Sequence, residues 1–156
     1  GRTRADAFRG EAEYETIARV KASVSIPVIA NGDITDPEKA RSILDNTAAD
    51  GLMIGRAAFG RPWIFNQIKH YLKNNTLLPA PENKEICEIV CSHLENIYKF
   101  YGEQSGVRIA RKHIGWYIKS KQGSELFRTH INRVDDASTQ LSLVYNFINS
   151  QQTLAA

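Results

Sequence analysis

The chain has 156 residues, 42% of them hydrophobic and 24% charged, which is the composition of a soluble globular protein and not of a disordered or fibrous one. No apolar run approaches the roughly 18 residues a membrane-spanning helix needs, and no signal peptide opens the chain. Two cysteines, Cys87 and Cys91, are too few for a disulfide framework and suit a reducing cytoplasm, while a net charge of +3 permits an acidic partner without requiring one.

Residues 1–13 are rich in charge and read as a loop. Apolar positions at Tyr14, Ile17, Ala18 and Val20 predict a helix from Tyr14 to Val24. Pro27-Val28-Ile29-Ala30 is a short apolar run of the kind that forms a strand buried on both faces. A helix opens at Thr35-Asp36-Pro37-Glu38. Asp36 suits the N-cap, Pro37 the first helical position and Glu38 the positive helix end. That helix runs through Ala40, Ile43 and Leu44 to about Asn46, and Ala49-Asp50-Gly51 turns the chain into a second strand, Leu52-Met53-Ile54. Helix, strand, helix, strand predicts a parallel pair with a helical crossover.

Gly60-Arg61-Pro62-Trp63-Ile64-Phe65 starts another helix, with Trp63, Phe65, Ile68 and Leu72 as its expected buried stripe. Leu77-Leu78-Pro79-Ala80-Pro81 is a proline-broken linker and the predicted domain boundary. Beyond it, Ile86, Ile89, Val90, Leu94, Ile97 and Phe100 recur at three- and four-residue steps, and Gly102 closes that helix. Further helices are expected over about 106–121, 124–134 and 136–150, joined by short connections, hence a small bundle.

Each predicted strand stops at a polar turn bearing glycine: Asn31-Gly32-Asp33 after the first and Gly55-Arg56 after the second. Gly32 lets a ligand approach the backbone, the N–H groups beside a helix start suit an anion, and Arg56 adds a forked cation matched to phosphate. Either loop alone is an ordinary strand-to-helix turn. On sequential strands and with an arginine, the two together favour a phosphate site, as in the last loops of a (β/α)8 barrel. Such a barrel needs roughly 250 residues. The expected fold class is therefore α/β: the C-terminal part of a (β/α)8 TIM barrel over residues 1–78, followed by an all-α helical bundle domain over residues 82–156.

The run from Ile26-Pro27-Val28-Ile29-Ala30-Asn31-Gly32-Asp33-Ile34 to Ala49-Asp50-Gly51-Leu52-Met53-Ile54-Gly55-Arg56-Ala57 resembles the end of a flavin-dependent barrel oxidoreductase. With Gly1-Arg2-Thr3-Arg4, Gly60-Arg61-Pro62-Trp63-Ile64-Phe65 and Arg111-Lys112-His113-Ile114-Gly115-Trp116-Tyr117, the chain is similar to the tRNA-dihydrouridine synthases, most of all their bacterial B subgroup. The resemblance implies reduction of uridine to 5,6-dihydrouridine in the D-loop of tRNA, by FMN recharged with NADPH, in the cytoplasm. It implies that Asn31, Gly32, Asp33, Gly55 and Arg56 hold the FMN phosphate and that Arg2 lines the flavin or substrate pocket. The family's proton-donating cysteine and flavin-contacting lysine belong to the N-terminal half of the barrel. This chain therefore carries no catalytic residue of its own, and alone it is not expected to turn over. Two other readings stand beside this one: a different FMN-dependent barrel oxidoreductase of a small molecule, and a non-catalytic RNA-binding remnant.

Arg108, Lys112, Gly115 and Lys119 form one stripe of a helix, flanked by Arg111 and Lys121. On spacing alone the stripe is a solvated face over a core of Ile109, Ala110, Ile114 and Ile118. The resemblance makes it the grip on tRNA, through Arg108, Arg111, Lys112 and Lys119, by charge and shape. Gly115 would let a phosphate backbone come close, and Trp116 and Tyr117 would pack or stack on a base. Cys87 and Cys91, with His93 nearby, read as core packing and not as a metal site.

Overall fold

The computed structural model describes residues 12–151. The chain divides into two compact units between Pro79 and Ala80, inside the proline-broken run. Among the described residues no helix is long and apolar enough to cross a membrane.

The first unit is α/β. Helix α1 (Glu15–Ser23) leads into strand β1 (Ile29–Asn31), helix α2 (Pro37–Thr47) and strand β2 (Gly51–Met53), and helix α3 (Ile64–Asn74) closes it. β1 and β2 pair in parallel, with Ile29 opposite Gly51, Ala30 opposite Leu52 and Asn31 opposite Met53. The strand starts later than the apolar run suggests because Val28 gives its N–H to the Asp50 carboxylate at 2.7 Å instead of to the ladder. Lys21 reaches the same carboxylate at 2.7 Å. That ammonium first, and the Val28 N–H second, hold the Asp50 carboxyl below its ordinary range.

α2 begins as its sequence dictates: Asp36 accepts from the Lys39 N–H at 2.7 Å, and Pro37 occupies the first turn. It ends at Thr47, a residue past the expected stop, with Ala48 beyond it in the left-handed conformation. Its Ala40 and Ile43 pack with Ala30, Ile34, Ile64 and Ile68 into one buried cluster. The buried stripe of α3 is accordingly Ile64 and Ile68, whereas Phe65, expected inside, is exposed. The four-residue step sets the face toward α2, and Phe65 lies one position off it.

The described part of the second unit is helical: α4 (Asn83–Tyr101), α5 (Glu103–Ile118), α6 (Ser124–Ile131) and α7 (Ala137–Asn149). α4 opens with a reciprocal capping box between Glu82 and Glu85, and Asp136 caps α7 through the Thr139 N–H at 2.6 Å. Leu94, Ile114, Ile131 and Val144 are fully buried at the centre. Gln140, also fully buried, is satisfied: it accepts from Tyr98 Oη at 2.8 Å and donates to the Val107 carbonyl at 3.3 Å. α6 stops at Ile131, short of the expected 134, because Arg133 and Val134 turn back onto the carbonyls of His130 and Ile131. That tighter turn leaves the Val134 carbonyl for another donor.

Candidate functional site

The polar loops predicted from the two strand ends meet in space. Gly32 has φ 133° and Asp33 has φ 44°, so the chain reverses in the left-handed region immediately after β1. Glycine enters that region without cost, and aspartate tolerates it better than most residues. The Tyr14 hydroxyl donates to the Gly32 carbonyl at 2.8 Å, and the Ala12 N–H donates to Asp33 at 2.9 Å, which fastens the turn to the chain before α1. Asn31 donates its amide to the Met53 carbonyl at 2.8 Å, bracing the end of one strand against the other. Arg56 reaches the Asp33 carboxylate at 3.2 Å. Two loops 23 residues apart are thus tied by an ion pair.

The five predicted phosphate-site residues therefore stand together, with unequal parts. Arg56 starts a short 3₁₀ turn (Arg56–Ala58) that the sequence reading did not foresee, and its side chain is 52% exposed, so the guanidinium is accessible to an anion. A Cβ built on Gly55 would meet nothing within 4 Å, so there is room over the turn for a ligand. Asn31 and Asp33 act as braces. The N-terminus of α2, expected to point at the anion, is filled by its own Asp36 carboxylate. A phosphate here would rest on Arg56 and the open Gly55 turn. Arg2 lies outside the described residues.

Arg108 and Lys112 of α5 and Lys119, its C-cap, are exposed along one face, with Gly115 among them. Arg111 is placed differently. Its side chain is 25% exposed, and it binds the Val134 carbonyl at 3.0 Å and Asp135 at 2.7 Å, fastening the α6–α7 turn to α5. Lys121 is half-buried beside Asn83, and burial holds its ammonium below the usual lysine range. Cys87 is buried with its thiol toward the Tyr145 carbonyl at 3.8 Å. Burial pushes the Cys87 thiol up and that of Cys91 up to about 11, so both stay protonated at neutral pH.

One cluster escaped the sequence reading. His93 of α4 meets His113 of α5 edge to face at 4.9 Å, and His113 meets Trp116 at 5.1 Å. A hydrogen bond of 3.0 Å joins His93 Nδ1 and Tyr117 Oη, and the Lys112 ammonium lies 4.9 Å over the Trp116 ring. Nothing local in the sequence pointed to His93 as the partner of His113 and Tyr117. Burial lowers both imidazole pKa values from their ordinary 6.5, and for His113 the neighbouring His93 and Lys112 act in the same direction.

The folded state therefore resists protons that the unfolded chain accepts, so the imidazole contribution to stability is full above about 6.5 and is lost as pH falls below it. The urea midpoint of the helical unit should be lower at pH 5.5 than at 7.5, and His113→Gln should shrink the difference. The depressed Asp136 carboxyl contributes in a separate window, below its ordinary 3.8. Equal midpoints at the two pH values would contradict the assignment.

A sequence model of the family described as dihydrouridine synthase matches residues 1–153. The chain is 53% identical over 152 residues to tRNA-dihydrouridine synthase B of Pseudomonas putida, covering 97% of this chain and 45% of that protein. It is 56% identical over 141 residues to tRNA-dihydrouridine synthase B of Escherichia coli K12, covering 90% of this chain and 44% of that protein. The chain thus spans about half the length of these curated relatives.

Proposed function

The chain belongs to the dihydrouridine synthase family, and from that premise we propose that it forms the C-terminal part of an enzyme reducing uridine to 5,6-dihydrouridine in the D-loop of tRNA. Residues 1–78 contribute the end of an FMN-binding TIM barrel, and residues 82–156 contribute a tRNA-binding domain working in the cytoplasm. The parallel β1–β2 pair supports the barrel reading: Ala30 is buried on one face, whereas Ile29 and Met53 are 56% and 60% exposed on the other. Apolar residues on an uncovered sheet face call for further strands to close over them.

In this reading Arg56 binds the FMN phosphate, Asp33 aims the guanidinium, and Asn31, Gly32 and Gly55 shape the cradle. When bound, FMN would supply hydride to one carbon of the uracil C5–C6 bond, the family's cysteine in the N-terminal half of the barrel would protonate the other, and NADPH would recharge the flavin. The target base has to leave its stack to be reduced. Arg108, Lys112 and Lys119 neutralise backbone phosphates and hold the tRNA while this happens. Arg111, tied to Val134 and Asp135, stiffens the helix beneath them.

The observation that carries the tRNA reading is the row of exposed cations on α5. A small-molecule reductase has no use for such a row. Binding of an unmodified tRNA transcript, measured across a range of salt, tests it. Arg108→Gln with Lys112→Gln should weaken binding about tenfold near physiological salt and lower the salt slope by about 2, one per lost phosphate contact. Unchanged affinity would rule out α5 as the tRNA-binding face.

A further inference from the structure

α5 holds two glycines in helical positions, and they differ in what surrounds them. A Cβ at Gly106 would lie 2.9 Å from the Tyr98 Cα and 3.2 Å from the Ile97 carbonyl, so packing against α4 demands that glycine. A Cβ at Gly115 would meet nothing within 4 Å. Gly115 is flanked on both sides by helical residues, where glycine is the least favourable choice after proline. Neither packing nor backbone conformation in this structure calls for it.

Its position supplies the reason. Gly115 lies between Lys112 and Lys119, which stand about 10 Å apart along the axis at 1.5 Å per residue. Arg108 stands one turn before Lys112 on the same exposed face. A helix covered by side chains is about 10–12 Å across, whereas its Cα cylinder has a radius of about 2.3 Å. Glycine bares that cylinder and leaves a saddle between long cationic arms. The Lys112 ammonium, laid over Trp116, stands at the rim of the saddle.

We propose that Gly115 is the point of closest approach of the RNA sugar–phosphate backbone to this protein, a steric determinant of binding that the flanking cations cannot replace. The inference rests on the reading of α5 as the tRNA-binding face. It separates charge, supplied by Arg108, Lys112 and Lys119, from fit, supplied by Gly115.

The two are separable by experiment. Gly115→Ala in the 156-residue chain is compared with the native chain and with Arg108→Gln/Lys112→Gln for melting temperature and for binding of an unmodified tRNA transcript across salt. Gly115→Ala should raise the melting temperature by about 4 °C, because alanine favours the helix and has room. The same change should weaken tRNA binding by about tenfold, the usual scale for forcing a methyl into a close contact, with the salt slope unchanged. Native tRNA affinity in Gly115→Ala, or a lowered melting temperature, overturns the inference. If the double charge variant also binds as the native chain does, the tRNA reading of α5 fails as well; if that variant binds weakly, only the role of Gly115 fails.

Discussion

Gly106→Ala should cost the helical unit about 3 kcal/mol of stability, the upper end of the usual penalty for overpacking. The added methyl would fall 2.9 Å from the Tyr98 Cα and 3.2 Å from the Ile97 carbonyl. Both are backbone atoms of α4, so no side chain can rotate away and the two helices have to separate. Separation loosens contacts of Ile97 and Val107, which are 7% and 1% exposed. It also lengthens the bond between Gln140 and the Val107 carbonyl, already 3.3 Å, and threatens a fully buried amide with an unmet donor. Domains are stable by only about 5–15 kcal/mol, so the loss is a large part of the whole. A urea titration followed by circular dichroism should show a lower midpoint at unchanged slope. Gly115→Ala, nine residues along the same helix, serves as the control of opposite sign. A native midpoint for Gly106→Ala would mean that α4 and α5 do not approach as closely as described.

Arg56→Met should weaken FMN binding about hundredfold. A hydrogen bond to a charged group contributes about 1.5–3 kcal/mol, and a two-pronged guanidinium–phosphate contact lies at the top of that range. Methionine keeps most of the side-chain length while removing the charge and both donors. Asp33 would then face the phosphate without the guanidinium that pairs with it in the native chain, which adds to the loss. Flavin fluorescence titrations measure the effect, and riboflavin, which has no phosphate, provides the discriminating comparison. Native and Arg56→Met proteins should bind riboflavin alike. Equal losses for FMN and riboflavin would mean that Arg56 supports the fold of the pocket and does not hold the phosphate.

These two expectations rest on unequal amounts of sequence information. The Asp36-Pro37 helix start was legible because a cap is a contract between a side chain and backbone groups three residues away. The Glu82–Glu85 box carried the same kind of signal, a pair three residues apart, and went unread because a glutamate is a less common cap than serine or aspartate. The polar turns after both strands were also legible, since abrupt changes from apolar to glycine-bearing polar residues are local events. That Arg56 would find Asp33, and that Asn31 would brace Met53, was not legible: each pair joins segments more than twenty residues apart.

The same distinction holds for the helices. Periodicity picked out Val90, Leu94 and Ile97 of α4, which are buried, but also Phe100, which is 80% exposed, and it left the facing direction of Phe65 wrong, because a short helix with apolar residues at adjacent positions has two plausible buried stripes. Periodicity likewise placed Arg111 beside the basic stripe. Only the turn of Asn132–Val134, which presents a carbonyl to α5, draws that guanidinium inward. The histidine pair of His93 and His113 arises from the packing of one helix on another, a choice of neighbour that neither helix encodes by itself.

What the sequence by itself determined was the order and kind of the elements, the caps that start them, the glycine turns and the row of cations on α5, all set by interactions within a few residues. The tertiary structure alone decided which cation remained available to a ligand and which became a strut, and which glycine was demanded by packing and which stood open. Those outcomes depend on atoms brought together from distant parts of the chain, where a displacement of an ångström separates a contact from a clash.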